Sequence, residues 1–128
     1  MRLLLDTHAL LWWLAGDERL TRVARTAISK LENQVLVSAA SAWEICTKVR
    51  LGKLPGAVVL AADFPGCLAA QGFTPLAISV VHAQRAGSLP GPHRDPFDRM
   101  LIAQAQAMEV PLVSNELQFD RYGIRRLW

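Results

Sequence analysis

Four carboxylates in this chain stand where their type and spacing could do chemistry: Asp6, Glu44, Asp98 and Glu116. Asp6 interrupts the apolar stretch "MRLLLDTHALLWWLAG", and an ionised acid buried there without partners is costly. Glu44 lies in "SAASAWEICTKVRLGK", Asp98 in "HRDPFDRMLIAQA", and Glu116 follows Ser114 by two residues. Carboxylates that share a pocket raise one another's pKa and resist joint ionisation. A divalent cation between them reverses that balance. Hard oxygen ligands, with no cysteine or histidine pair at metal spacing, favour Mg2+ or Mn2+. Such an ion keeps several waters, and one of them can become the nucleophile in phosphodiester hydrolysis.

Each acid also has a local explanation. Asp6 could cap the helix that follows it. Asp95 and Asp98 have capping-box spacing around Pro96, so Asp98 could simply complement a helix dipole. Glu116 could do the same behind a Ser114 cap, and Glu44 could lie on a solvated helix face. The unusual one is Asp6, between "LLL" and "ALLWW". Local roles for all four require a coincidence of placement.

That placement depends on the elements. "RLLL" is a short apolar run suited to a strand buried on both faces. "HALLWWLAG" reads as a helix stopped by Gly16. "TRVARTAISKLEN" reads as a second helix with Thr21 as its N-cap. "QVLVS" is a second buried strand, and the helix after it is capped by Ser38 and closed near Gly52. "GAVVLAADFPGCLAAQG" looks helical but is interrupted by Pro65 and Gly66. "FTPLAI" is a third strand and "SVVHAQRAG" a short helix. The loop "SLPGPHRDP" is dense in Pro and Gly. "PFDRMLIAQAQAMEV" is the clearest helix, with Phe97, Met100, Leu101, Ala105 and Met108 on one stripe. "VPLVS" is a fourth strand, "NELQFDRYG" a short helix or turn, and "IRRLW" a terminal strand. This alternation predicts one α/β domain over residues 1–128, with a mainly parallel sheet and helices on both faces. In such sheets the working site lies beyond the carboxyl ends of the strands, where these elements would deliver all four acids.

Hydrophobic residues make up 52% of the 128 residues, which excludes a disordered chain. The net charge of +3 permits an anionic partner without requiring one. Of the 14 cations 11 are arginine, the side chain suited to phosphate forks. Cys46 and Cys67 form no metal or redox motif and read as free thiols of a reducing compartment. Asp6 and His8 fall where a signal peptide would be apolar, and no segment reaches the ~20 apolar residues of a membrane span. The expected location is the cytoplasm.

The segments "LLLDTHALLWWL", "SAASAWEICTKVRLGKL", "HRDPFDRMLIAQA" and "PLVSNELQFDRYGIRRLW" resemble, in order and spacing, the PIN-domain ribonucleases. More narrowly they resemble the VapC-like toxins of bacterial toxin–antitoxin modules. The resemblance covers nearly the whole chain. It implies a three-layer α/β/α PIN-like fold and Mg2+- or Mn2+-dependent endonuclease activity on RNA. Asp6, Glu44 and Asp98 match the three principal acids of the family. Glu116 stands where a fourth acid is usually Asp, two residues after the hydroxyl of Ser114, so its carboxylate is carried one methylene further out. Asp120 does not match the motif.

The resemblance also suggests that Asp6 and Asp98 hold the ion, with Glu44 holding it through water or orienting the attacking water. Thr7 and Ser114 would position ligands or a phosphate oxygen, and Asp95 would cap with an outer role. Arg94 and Arg99 flank the site, Lys48, Arg50 and Lys53 follow Glu44, and some of these would hold the RNA backbone, with a solvated helix face the alternative for the last three. His93 could touch substrate, His8 would pack or orient, and Trp12 and Trp13 would lie in the core or on a dimer face. A small cognate antitoxin would block the acidic pocket, and a homodimer is expected. Three other readings remain, one of them that the protein acts mainly through its antitoxin complex, binding operator DNA through the partner. A phosphotransferase of the haloacid-dehalogenase kind also places an Asp after its first strand, but needs a second Asp where this chain has His8. A catalytically weakened PIN scaffold would bind RNA or protein without an ion.

Overall fold

The computed structural model describes residues 1–128. Five strands form one sheet: β1 (Arg2–Leu5), β2 (Gln34–Ser38), β3 (Thr74–Leu76), β4 (Leu112–Val113) and β5 (Arg126–Leu127). Their order is β3-β2-β1-β4-β5, and every pairing is parallel. The sheet is therefore parallel throughout, where the sequence pointed to a mainly parallel one. The helices are α1 (Thr7–Ala15), α2 (Arg22–Ser29), α3 (Ala39–Arg50), α4 (Val58–Ala62), α5 (Phe64–Gln71), α6 (Val80–Ser88) and α7 (Pro96–Met108). Short 3-10 turns occupy Pro55–Ala57 and Leu117–Tyr122. No helix is long and apolar enough to cross a membrane.

The continuous apolar run of β1 follows from its central place. Alternate side chains point to opposite faces of a strand, and both faces here are covered. Leu3 and Leu5, with Val35 and Val37 of β2, pack into a core that includes Leu10, Ala24, Ile45, Leu60 and Leu68 from α1 to α5. Leu4, Leu36 and Leu112 point the other way, onto Leu101, Ile102 and Ala105 of α7 and onto Phe119. Leu3, Leu4 and Leu5 are fully buried, each contributing about 2 kcal/mol by removal from water.

Two local expectations shift. The break near residue 65 falls earlier, between Ala62 and Phe64. Pro65 lies in the first turn of α5, where a missing N–H costs nothing. Asp63 caps that turn, accepting from Gly66 N at 3.1 Å. On α7 the stripe facing the core is Leu101, Ile102 and Ala105. Phe97 and Met100 instead line an apolar cleft with Trp43 of α3, and Phe97 meets Trp43 edge-on at 5.0 Å.

Helix starts are strongly marked. Asp6, Thr21, Ser38, Asp63, Ser79 and Asp95 each accept a backbone hydrogen bond from the helix that follows. Asp95 Oδ1 accepts from Phe97 N at 2.9 Å and Asp98 N at 3.0 Å. Asp95→Ala is expected to cost about 1 kcal/mol in urea unfolding. Asp95→Asn keeps the acceptor and should cost little, and equal losses in the two variants would contradict the capping role.

Candidate functional site

β1 is followed in sequence by β2 and β3 on one side, while β4 and β5 fill the other. The strand order thus reverses between β1 and β4, the position where open parallel sheets leave a crevice at their carboxyl ends. β1 runs directly into Asp6 and β4 into Ser114, and Asp6 N donates to Val113 O at 3.0 Å, locking the two strand ends together. A polar pocket opens there. Asp6, Thr7, His8 and Trp12 line it from the start of α1, Glu44 and Lys48 from α3, Asp95 and Asp98 from the start of α7, and Asn115, Glu116 and Phe119 from the segment after β4.

Asp6 is only 5% exposed, and its Oδ1 accepts from Ala9 N at 2.6 Å. Burial lifts its pKa from 3.8 to about 6, and the Asp98 carboxylate pushes the same way. The Ser114 hydroxyl, the Ala9 N–H and His8 oppose the rise without cancelling it. Glu44 is equally buried. Its Oε1 accepts from the Thr7 hydroxyl at 2.7 Å and its Oε2 from Lys48 Nζ at 2.6 Å. The Ser41 hydroxyl lies 3.1 Å from that of Thr7.

Asp98 Oδ2 stands 2.8 Å from His93 Nε2, while His93 Nδ1 is 2.9 Å from Gln118 Oε1. Burial raises the Asp98 pKa, Asp95 and Glu44 add to the rise, and His93 opposes it. For His93, burial disfavours the charged form, but the contacts with Asp98 and Gln118 outweigh it and hold its pKa above the ordinary value. Glu116 is exposed. Its N–H donates to Ser114 Oγ at 3.0 Å, and its Oε1 accepts from Gln118 N at 3.3 Å, capping the 3-10 turn.

The donor chemistry suits a hard divalent cation. Five acids line one pocket, and repulsion between neighbouring carboxylates helps to raise Asp6 and Asp98; a cation would relieve that. As the side chains stand, no three acidic, imidazole or thiol groups converge closely enough to hold an ion. Each acid is held by one neighbour or more: Glu44 by Thr7 and Lys48, and Asp98 by His93 through a single oxygen.

Of the residues singled out from the sequence, Asp6, Thr7, Glu44, Asp95, Asp98 and Glu116 come together around the pocket. Ser114 is fully buried beneath it, on Asp6 and Glu116. Arg94 is exposed, and neither it nor Arg99 lines the pocket. Arg99 donates to Ala86 O at 3.1 Å, to His93 O at 3.0 Å and to Leu89 O, so its guanidinium serves a loop where an RNA contact was expected. Lys48 lines the pocket, while Arg50 and Lys53 do not. Trp13 packs against Phe73 in the core region. Trp12 packs on the same core yet also walls the pocket, with Arg19 4.8 Å from its ring centre and Trp128 at 5.8 Å. The i,i+4 spacing of Glu44 and Lys48 could have announced their ion pair. The His93–Asp98 contact and Asn115 carried no such signal.

The PIN domain family model matches residues 3–125. Over 68 residues the chain is 38% identical to Ribonuclease VapC16 of Mycobacterium tuberculosis, a match covering 52% of this chain and 48% of that protein. The chain thus spans about half the length of this relative. The fold is similar to that in the crystal structure of VapBC2 from Rickettsia felis bound to a DNA fragment from their promoter, with TM-score 0.72 and 17% identity over 98% of this chain and 97% of that one. It is also similar to a toxin–antitoxin complex from Klebsiella pneumoniae, with TM-score 0.61 and 22% identity over 88% and 85%.

Proposed function

The chain belongs to the PIN domain family, and from that premise we propose that it is a metal-dependent endoribonuclease, the toxin of a toxin–antitoxin pair. The observation that carries this reading is the meeting of Asp6, Glu44, Asp98 and Glu116, from four separate segments, around one pocket at the reversal of strand order. A relative named a ribonuclease and a fold neighbour that is a toxin–antitoxin complex support it.

Asp6, Asp98 and Glu44 would hold Mg2+ or Mn2+, with Glu116 contributing from the exposed rim. When bound, such an ion supplies an activated water and positive charge toward a phosphodiester. The chain's own groups prepare the site. The Ala9 N–H fixes the Asp6 carboxylate, the Ser114 hydroxyl favours its charged form, and Thr7 orients Glu44. Lys48, 41% exposed at its side chain, offers a cation to the RNA backbone at the pocket edge. Hydrolysis by water leaves 5′-phosphate and 3′-hydroxyl ends. Unpaired RNA, whose backbone can enter a pocket, is the expected substrate form. A small antitoxin would cover the acidic pocket with a basic side chain. We assign the toxin one domain over residues 1–128, a homodimeric state and a cytoplasmic location.

Purified chain freed of any partner, incubated with single-stranded and structured RNA, should cut with Mg2+ or Mn2+ and stop with EDTA. Intact RNA in every lane, from folded protein, would overturn the catalytic reading. One observation favours a second reading, that of a scaffold which only binds: Glu116 is turned back onto Gln118 N. Retention of RNA in EDTA, with cutting gained only in Glu116→Asp, would select it.

A further inference from the structure

We infer that His93 is a positioning residue, which fixes the Asp98 carboxylate for the cation, and that the Leu89–His93 loop holds that imidazole in place. The inference rests on the metal-site reading above and goes beyond it by assigning a residue outside the acid set.

His93 is held from every side. Its backbone N–H donates to the Tyr122 hydroxyl at 3.3 Å, and its carbonyl accepts from Arg99 Nη1 at 3.0 Å. Its ring lies 5.9 Å from Phe119 and meets Tyr122 nearly edge-on at 6.4 Å. Both ring nitrogens are engaged, one by Gln118 Oε1 and the other by Asp98 Oδ2. Its side chain is only 10% exposed, while its neighbours Pro92 and Arg94 are exposed. The loop is shaped for this. Gly91 has φ +103°, and a Cβ there would come within 2.8 Å of the Tyr122 hydroxyl, so only glycine lets the loop lie so close to Tyr122. Arg99, the residue after Asp98, grips the carbonyls of Leu89 and His93. Loop and helix start therefore move as one body.

Arg99 and Tyr122 already secure the loop backbone without the imidazole. What the imidazole adds, itself held by Gln118 on its other nitrogen, is a contact to Asp98 Oδ2, which leaves Oδ1 free of that bond and limits rotation of a carboxylate whose side chain is 30% exposed. Groups that orient a metal-binding carboxylate in this way change metal affinity by roughly 10- to 100-fold.

The test is Mn2+ titration by calorimetry at one fixed pH, on the full chain freed of any partner. It compares wild type, His93→Ala, His93→Gln and Asp98→Asn, with urea unfolding of each. Wild type should bind Mn2+, and Asp98→Asn should lose most of that binding. His93→Ala should bind at least roughly tenfold more weakly. His93→Gln, whose amide N–H replaces that of Nε2, should recover most of the affinity even if both variants unfold at the same urea concentration. Asp98→Asn losing the ion while His93→Ala binds as tightly as wild type, or more tightly, would overturn the inference alone. So would equal weakening in Ala and Gln. No Mn2+ binding by folded wild type would overturn the metal-site reading and this inference with it.

Discussion

Asp6→Asn is expected to lower cleavage steeply and, at neutral pH, to make the protein more stable. Both effects come from one burial. The Asp6 carboxyl has a pKa of about 6 in the folded chain against 3.8 when exposed. A raised folded pKa means that the native state favours the protonated acid. That preference is fully present below pH 4 and is lost as pH rises through about 6. Above pH 6 the wild type therefore carries an ionised, mostly desolvated carboxylate, at a cost of about 3 kcal/mol for the rise from 3.8 to about 6. Asparagine never ionises, and its amide oxygen can still accept from Ala9 N as an N-cap. Urea unfolding in EDTA should show the two proteins close in stability near pH 4 and the variant ahead by about 3 kcal/mol at pH 7 to 8. Adding Mn2+ should narrow the gap, because only the wild type gains stability by binding it. RNA cleavage should fall by on the order of 100- to 1000-fold, as expected for loss of a preorganised charge at the reacting centre. Equal stability at every pH would show that Asp6 is not strained by its burial, and cutting by the variant at wild-type rate would remove it from the site.

The elements that deliver the acids were legible because their signals are local. "RLLL" has no polar alternation, so it had to lie between two layers, and its last position had to open onto the carboxyl edge. Thr21, Ser38, Ser79 and Asp95 mark helix starts within three residues of the groups they cap. The features that local sequence leaves open depend on partners far along the chain. Arg99 follows Asp98 at the mouth of the site, while its fork reaches back 6 to 13 residues to carbonyls of the loop and of the last turn of α6. His93 takes its meaning from Gln118 and Tyr122, 25 and 29 residues away. The stripe on α7 was read from hydrophobicity alone, which could not say that Phe97 would turn to Trp43, a contact 54 residues distant. Pro65 was read as a breaker because its position relative to the Asp63 cap decides whether it ends a helix or begins one.

Arg99→Ala should be the most damaging of the arginine substitutions, and Arg94→Ala close to neutral for stability. Arg99 donates three hydrogen bonds to main-chain carbonyls of the loop between α6 and α7 and of the last turn of α6. Charge-assisted bonds of this kind contribute roughly 1.5–3 kcal/mol each, and their loss leaves carbonyls partly desolvated without a donor, so a total of roughly 3–4 kcal/mol is expected after water has repaired some of the damage. Arg99→Lys should recover little, because one ammonium cannot span carbonyls that a planar fork bridges together. The consequence reaches the site: the released loop carries His93 away from Asp98, so Mn2+ binding should weaken in Arg99→Ala even at temperatures where the protein stays folded. Arg94 makes no hydrogen bond or ion pair and is exposed, so Arg94→Ala should change stability by about 0.5 kcal/mol or less. If Arg94 meets the RNA backbone, its loss should instead lower RNA affinity and flatten its dependence on salt. Urea unfolding and Mn2+ titration of the two variants side by side separate the roles. An Arg99→Ala protein as stable as wild type would mean that the loop is held without the guanidinium, and Arg99 would return to the list of residues able to touch RNA.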